Sequence, residues 1–120
     1  MSEKKDALIF IKHILENIKD IEEFSKNKSE KELEGNSMRQ KAIIRSLETI
    51  GEATKGIPGE IKRKYSSIPW KDVVGMRDKL IHHYFGVDLV IVWKVIKEDI
   101  PDLKEKILKI KKDLEAEGKK

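Results

Sequence analysis

The sequence contains no cysteine, which excludes disulfides, thiolate metal sites and cysteine nucleophiles. Only three histidines are present, too few to suggest a histidine-built metal cage, so neither metal nor cofactor is expected. No stretch approaches the roughly 18 to 20 uncharged apolar residues that a membrane span needs. The opening Met1-Ser2-Glu3-Lys4-Lys5-Asp6 has no signal-peptide pattern, so the expected location is cytoplasmic, with no membrane partner. A large excess of one charge sign is also missing. The 26 Lys and Arg against 22 Asp and Glu leave a formal charge of +4, which permits weak attraction to nucleic acid without demonstrating it. What is abundant is charge, at 40%, and apolar side chain, at 38%, in 120 residues. That suits one compact domain over residues 1–120, with a basic, fraying end expected from about residue 113.

From about Lys5 to Phe24, Leu8, Ile11, Ile14, Leu15, Ile18 and Ile21 recur at spacings of three and four, which predicts an amphipathic helix. Ser25 to Asn36 is polar and ends in Gly35-Asn36, reading as a loop or frayed helical end that could lie in solvent. A second long helix is predicted from about Ser37 to Lys55, carrying Ala42, Ile43, Leu47, Ile50 and Thr54 and stopping at Gly56 as C-cap. Pro58 and Gly59 open a short helical piece, Glu60 to Tyr65, before Ser66-Ser67-Ile68-Pro69 breaks the chain. Trp70 to about Tyr84 is the next predicted helix, closed by Gly86, with Asp88 as N-cap for the last segment. That segment, Leu89 to Glu117, has helical spacing, but Pro101 should kink or split it near Asp99-Ile100. With no β-hairpin signal and no internal repeat, the expected fold is an all-α up-down bundle of four to five helices.

Arg77 breaks the pattern. At about 100° per residue, Val73, Leu80 and Tyr84 lie within about 60° of it on one side, and Ile81, Val74 and Phe85 within about 80° on the other. A guanidinium cannot shed its charge, so it must pair with a carboxylate such as Glu48 or Glu52, face a helix or subunit seam, or await an anionic ligand. Asp78 and His82 are four apart, so the carboxylate can orient the imidazole, with Gly75 on the same face. Tyr84 falls almost above Arg77 in projection. Each also has an ordinary role open to it: Asp78 and His82 as a solvated helix pair, Tyr84 as a core-edge ring. His83 and His13 read as surface residues, Trp70 and Trp93 as core or interface anchors.

The run Arg77-Asp78-Lys79-Leu80-Ile81-His82-His83-Tyr84 contains Arg, four residues, His, any residue, Tyr, and resembles the motif of HepT-like toxins in the HEPN superfamily. The likeness continues in Ser46-Leu47-Glu48-Thr49-Ile50-Gly51-Glu52-Ala53, Ile68-Pro69-Trp70, Val74-Gly75-Met76-Arg77 and Tyr84-Phe85-Gly86-Val87-Asp88, with Trp93 and Pro101 downstream, and covers roughly residues 5 to 112. Asp78 departs from it, since many members carry Asn there. The resemblance implies a HEPN-like helical fold, a homodimer, and a metal-independent endoribonuclease of a type II toxin-antitoxin pair. It also implies a minimal nucleotidyltransferase antitoxin as partner, which in the best understood members transfers AMP to the tyrosine that is Tyr84 here.

The residues suit that chemistry. Cutting RNA without metal requires deprotonation of the 2′-hydroxyl, stabilisation of the phosphorane and protonation of the 5′-oxygen. Arg77 suits the second task as a permanent bidentate cation, His82 the proton transfers, and Asp78 the orientation of His82. A dimer would supply a second histidine, and Tyr84 would line the RNA groove or stack on a base. Two other readings stand beside this one: a non-catalytic nucleotide- or partner-binding helical module acting with a nucleotidyltransferase, and a structural dimeric bundle in which Arg77 is ion-paired.

Overall fold

The computed structural model describes residues 3–76 and 89–118. Among them every regular element is helical, so the expected all-α class holds. Helix α1 (Glu3–Ser25) is placed by its apolar stripe: Ala7, Ile11, Ile14, Ile18 and Ile21 are fully buried, while Leu8 and Leu15 flank them half-buried. His13 is exposed, as expected. Helix α3 (Ser37–Lys55) buries Ile43, Leu47 and Ile50 against α1. The two run antiparallel, since the Arg39 guanidinium donates to the Phe24 carbonyl at 2.9 Å at one end while the Phe10 ring lies over Gly56 at the other. Asn36 caps α3, its side chain accepting the Arg39 N–H at 3.0 Å.

The polar stretch between these helices is more ordered than its composition suggested. Within it lies α2 (Glu30–Glu34), nucleated by a capping box in which Ser29 Oγ accepts the Glu32 N–H at 3.1 Å and Glu32 Oε1 accepts the Ser29 N–H at 3.2 Å. Leu33 enters the core, and the Gln40 amide donates to the carbonyls of Leu33 and Glu34. The chain reaches α2 through Asn27, whose φ of 57° is one asparagine tolerates.

Helix α4 (Gly59–Lys64) and α5 (Trp70–Val74) form a corner. The Trp70 indole N–H locks it, donating to the carbonyls of Lys62 at 3.0 Å and Tyr65 at 3.2 Å. Here the sequence reading needs correction. Instead of one helix from Trp70 to Tyr84, α5 ends at Gly75, whose N–H bonds the Lys71 carbonyl at 2.9 Å. The projection that set Val73 and Val74 beside Arg77 therefore does not run through one helix.

The last rod consists of α6 (Leu89–Lys94), a π-helical turn (Val95–Asp99) and α7 (Ile100–Gly118). Pro101 has no N–H for the Lys97 carbonyl, and its ring would crowd that carbonyl in a regular α-helix. The wider π turn, closed by the Ile100 N–H on the Val95 carbonyl, accommodates both problems just upstream of the proline. Beyond it α7 lies antiparallel to α1, with Lys104 Nζ 2.9 Å from a Glu22 carboxylate oxygen. Leu103, Ile107, Ile110 and Leu114 complete the core. The stretch expected to fray from about residue 113 is helical through Gly118, because Leu114 is buried and Asp113 is held by Tyr65. No helix among the described residues is long and apolar enough to cross a membrane.

Candidate functional site

The four residues named as a site, Arg77, Asp78, His82 and Tyr84, lie outside the described residues, as do His83 and Asp88. What is described is the frame that delivers the chain to them and takes it away. On the entry side, α5 is pressed onto α3 at Gly51: a Cβ there would stand 3.1 Å from the Val74 carbonyl oxygen and 3.5 Å from that of Val73. Glycine lets the two backbones approach this closely without strain, whereas a Cβ would require α5 to give by a few tenths of an ångström. Met76, the residue before Arg77, is buried, which anchors the start of the motif segment in the core. On the exit side, Trp93 is half-buried against the core, and the Lys97 ammonium sits 4.7 Å from the centre of its ring. Trp70 and Trp93 thus both serve as anchors.

Between the two sides lies a cleft of about 260 Å³, its apolar floor formed by Val73, Met76, Ile91, Val95 and Leu103. Among the described residues its polar rim is Asp72, Asp99, Asp102 and Lys106. Lys106 is engaged, 3.0 Å from Asp102 and donating to the Ser67 carbonyl at 3.3 Å. Three carboxylates and one committed ammonium do not attract a phosphodiester, so this rim offers no phosphate-binding charge of its own. The candidate acid partners for Arg77 are on α3. Glu48 is half-buried, with Arg45 at 3.8 Å, and Glu52 is exposed, with Lys55 at 3.2 Å. Whether either meets Arg77 involves a residue outside the described ones.

One polar contact near the frame has no counterpart in the sequence reading. The Tyr65 hydroxyl donates to Asp113 at 2.7 Å, tying the α4–α5 corner to α7, and Lys64 reaches Glu117 at 3.4 Å alongside it. Burial, then the hydrogen bond to Asp113, then the negative charges of Asp113 and Glu117 push the phenol up to about 12 from 10.0. The raised value means the fold holds the proton more tightly than the unfolded chain does. Its contribution is complete below pH 10 and is lost as pH rises through about 12. Tyr65→Phe should cost about 1 kcal/mol at neutral pH, the half-exposed position reducing the value of a charge-assisted bond. Chemical denaturation at neutral and alkaline pH checks this: the variant should lack the part of the parent's alkaline loss that belongs to Tyr65.

The sequence as a whole places the chain in a ribonuclease family: it belongs to the HepT-like ribonucleases, whose family model matches residues 14–110. Among curated relatives, "Gamma-glutamylcyclotransferase and putative RNase MJ0434" of Methanocaldococcus jannaschii is 51% identical over 112 residues, which are 93% of this chain and 50% of that protein. This chain thus spans half the length of that relative. "Putative RNase MJ1216" of the same organism is 48% identical over 113 residues, 94% of this chain and 93% of that one. "Probable ribonuclease HepT" of Thermococcus cleftensis is 48% identical over 109 residues, 91% of this chain and 99% of that one. No solved structure is significantly similar to this chain.

Proposed function

We propose that this chain is a metal-independent endoribonuclease, the toxin of a type II toxin-antitoxin pair, acting as a homodimer in the cytoplasm and built as one HEPN/HepT-like domain over residues 1–120. The observation that carries the reading is the family match over residues 14–110, inside which Arg77, His82 and Tyr84 keep the motif spacing. In the reaction, His82 takes the proton from the 2′-hydroxyl, whose oxygen attacks the adjacent phosphorus. Arg77 holds the non-bridging oxygens as negative charge builds, and the 5′-oxygen leaves with a proton from an imidazolium. The products are a 2′,3′-cyclic phosphate end and a 5′-hydroxyl end. Asp78 fixes the tautomer of His82, and the second subunit supplies the second imidazole.

The partner is a minimal nucleotidyltransferase antitoxin that AMPylates Tyr84. The phenol oxygen attacks the α-phosphorus of ATP, pyrophosphate leaves and the phenolic proton goes to solvent. The added phosphodiester puts a bulky anion where RNA phosphate must bind. Purified protein should cut single-stranded RNA in excess EDTA. Protein co-produced with an active antitoxin should gain the mass of an adenylyl group on Tyr84 and stop cutting. No cutting by clean, unmodified protein would overturn the ribonuclease reading, and an unshifted, inactive co-produced protein would overturn the AMPylation.

A further inference from the structure

The chain mixes its charges almost everywhere, but two runs contain no acid and more cations than any other acid-free run. Residues 61–71 carry Lys62, Arg63, Lys64 and Lys71; residues 106–112 carry Lys106, Lys109, Lys111 and Lys112. The fold brings them side by side. The Lys106 ammonium reaches the Ser67 carbonyl at 3.3 Å, the Tyr65 hydroxyl reaches Asp113 at 2.7 Å, and Lys64 reaches Glu117 at 3.4 Å, so α7 from Lys106 to Glu117 lies along the α4–α5 corner. Lys109, three residues after Lys106 and four before Asp113, shares their side of the helix.

Six of these eight cations divide into two groups. Lys64 and Lys106 are paired with Glu117 and Asp102. Lys62, Arg63, Lys71 and Lys109 have no carboxylate within 4.0 Å among the described residues, and the last three are exposed. Charges left without internal partners on a surface whose backbone is firmly held are available to an external polyanion. The backbone here is held: the Trp70 indole ties the Lys62 and Tyr65 carbonyls to the start of α5. From Lys71, α5 leads directly to Met76 and the motif, Arg77 following Lys71 by six positions.

We propose that Lys62, Arg63, Lys71 and Lys109 form a landing surface for the RNA backbone, which positions the strand for the motif through phosphate contacts and without reading bases. This rests on the ribonuclease reading for the identity of the polyanion. It also supplies what the acidic rim of the cleft lacks, positive charge along the approach to Arg77. Contacts of this kind release counterions, so their signature is salt dependence.

The test is fluorescence-anisotropy binding of single-stranded 2′-O-methyl RNA, which has no free 2′-hydroxyl to be cut, across a series of salt concentrations. At about 0.7 per phosphate contact for a single strand, the fourfold variant Lys62→Gln, Arg63→Gln, Lys71→Gln, Lys109→Gln should flatten the slope of log affinity against log salt by about 3. The charge-preserving variant Lys62→Arg, Lys71→Arg, Lys109→Arg should keep the parent slope. An unchanged slope in the glutamine variant, or no binding by the parent, overturns the proposal. The ribonuclease reading fails separately: a parent that binds this probe with the expected slope but never cuts ordinary RNA sinks that reading and leaves the landing surface standing.

Discussion

His82→Ala is expected to slow RNA cleavage by about 10²- to 10⁴-fold, the usual contribution of a positioned general acid or base, without lowering thermal stability. The size follows from what the residue does. Without metal, neither of the other two residues given a part in the reaction transfers protons readily near neutral pH: the guanidinium of Arg77 stays charged, and a carboxylate such as Asp78 is a weak base toward a hydroxyl. If both subunits contribute an imidazole, one as base and one as acid, the rate should peak between two titrations, and the alanine variant should lose that bell shape with its rate. Arg77→Ala should bring a comparable loss. Arg77→Lys should recover only part of it, since an ammonium is a point charge and cannot bridge two phosphoryl oxygens. The pair of variants also separates catalysis from architecture. If Arg77 were only an internal ion-pair partner, its removal would lower the melting temperature and leave cleavage untouched. A purified His82→Ala protein that cuts as fast as the parent would show the mechanism to be wrong.

The long helices were legible because burial in them follows a local rule. The isoleucines of α1 and the apolar positions of α3 sit where a period of 3.6 residues puts them, and the predicted span of α3 is the observed one. Helix α2 carries a signal that periodicity does not reinforce. Ser29 and Glu32 stand in capping-box spacing, but one buried leucine in a polar stretch makes no periodic pattern behind the cap. Pro101 announced a break without revealing its form, because whether a helix kinks, ends or widens into a π turn depends on what it packs against. The stop at Gly75 was lost for a similar reason, as a single glycine inside a helical pattern is commonly tolerated. Tyr65 and Asp113 are 48 residues apart, a separation at which no spacing rule operates. The motif is a different case. Residue type and spacing alone leave Asp78 and His82 open as a solvated helix pair and Tyr84 as a core-edge ring, and it is the resemblance to the HepT-like pattern that gives them catalytic roles to test.

Gly51→Val should destabilise the fold by about 3 kcal/mol, at the upper end for overpacking a core, lowering the melting temperature by about 10 °C. Two effects compete at this position. Both substitutions raise helix propensity over glycine, by about 1 kcal/mol for alanine and about half that for valine. Against this, the first added carbon already lies 3.1 Å from the Val74 carbonyl oxygen, and the obstacle is backbone, which cannot swing aside as the end of a side chain can. For Gly51→Ala a shift of a few tenths of an ångström in α5 settles the conflict, and the two effects should nearly cancel. Valine adds two more methyl groups against the backbone of Val73 and Val74, where no such shift makes room. The displacement has a functional consequence, because α5 passes through Gly75 to Met76 and so sets where the chain begins the Arg77 segment. Cleavage by Gly51→Val should therefore fall even well below its melting temperature, since misplacing a reacting group by about 1 Å can cost on the order of 10²-fold. Melting curves and single-turnover cleavage of the alanine and valine variants, measured side by side, decide it: a valine variant as stable and as active as the parent would mean that α3 does not hold α5 in place through this contact.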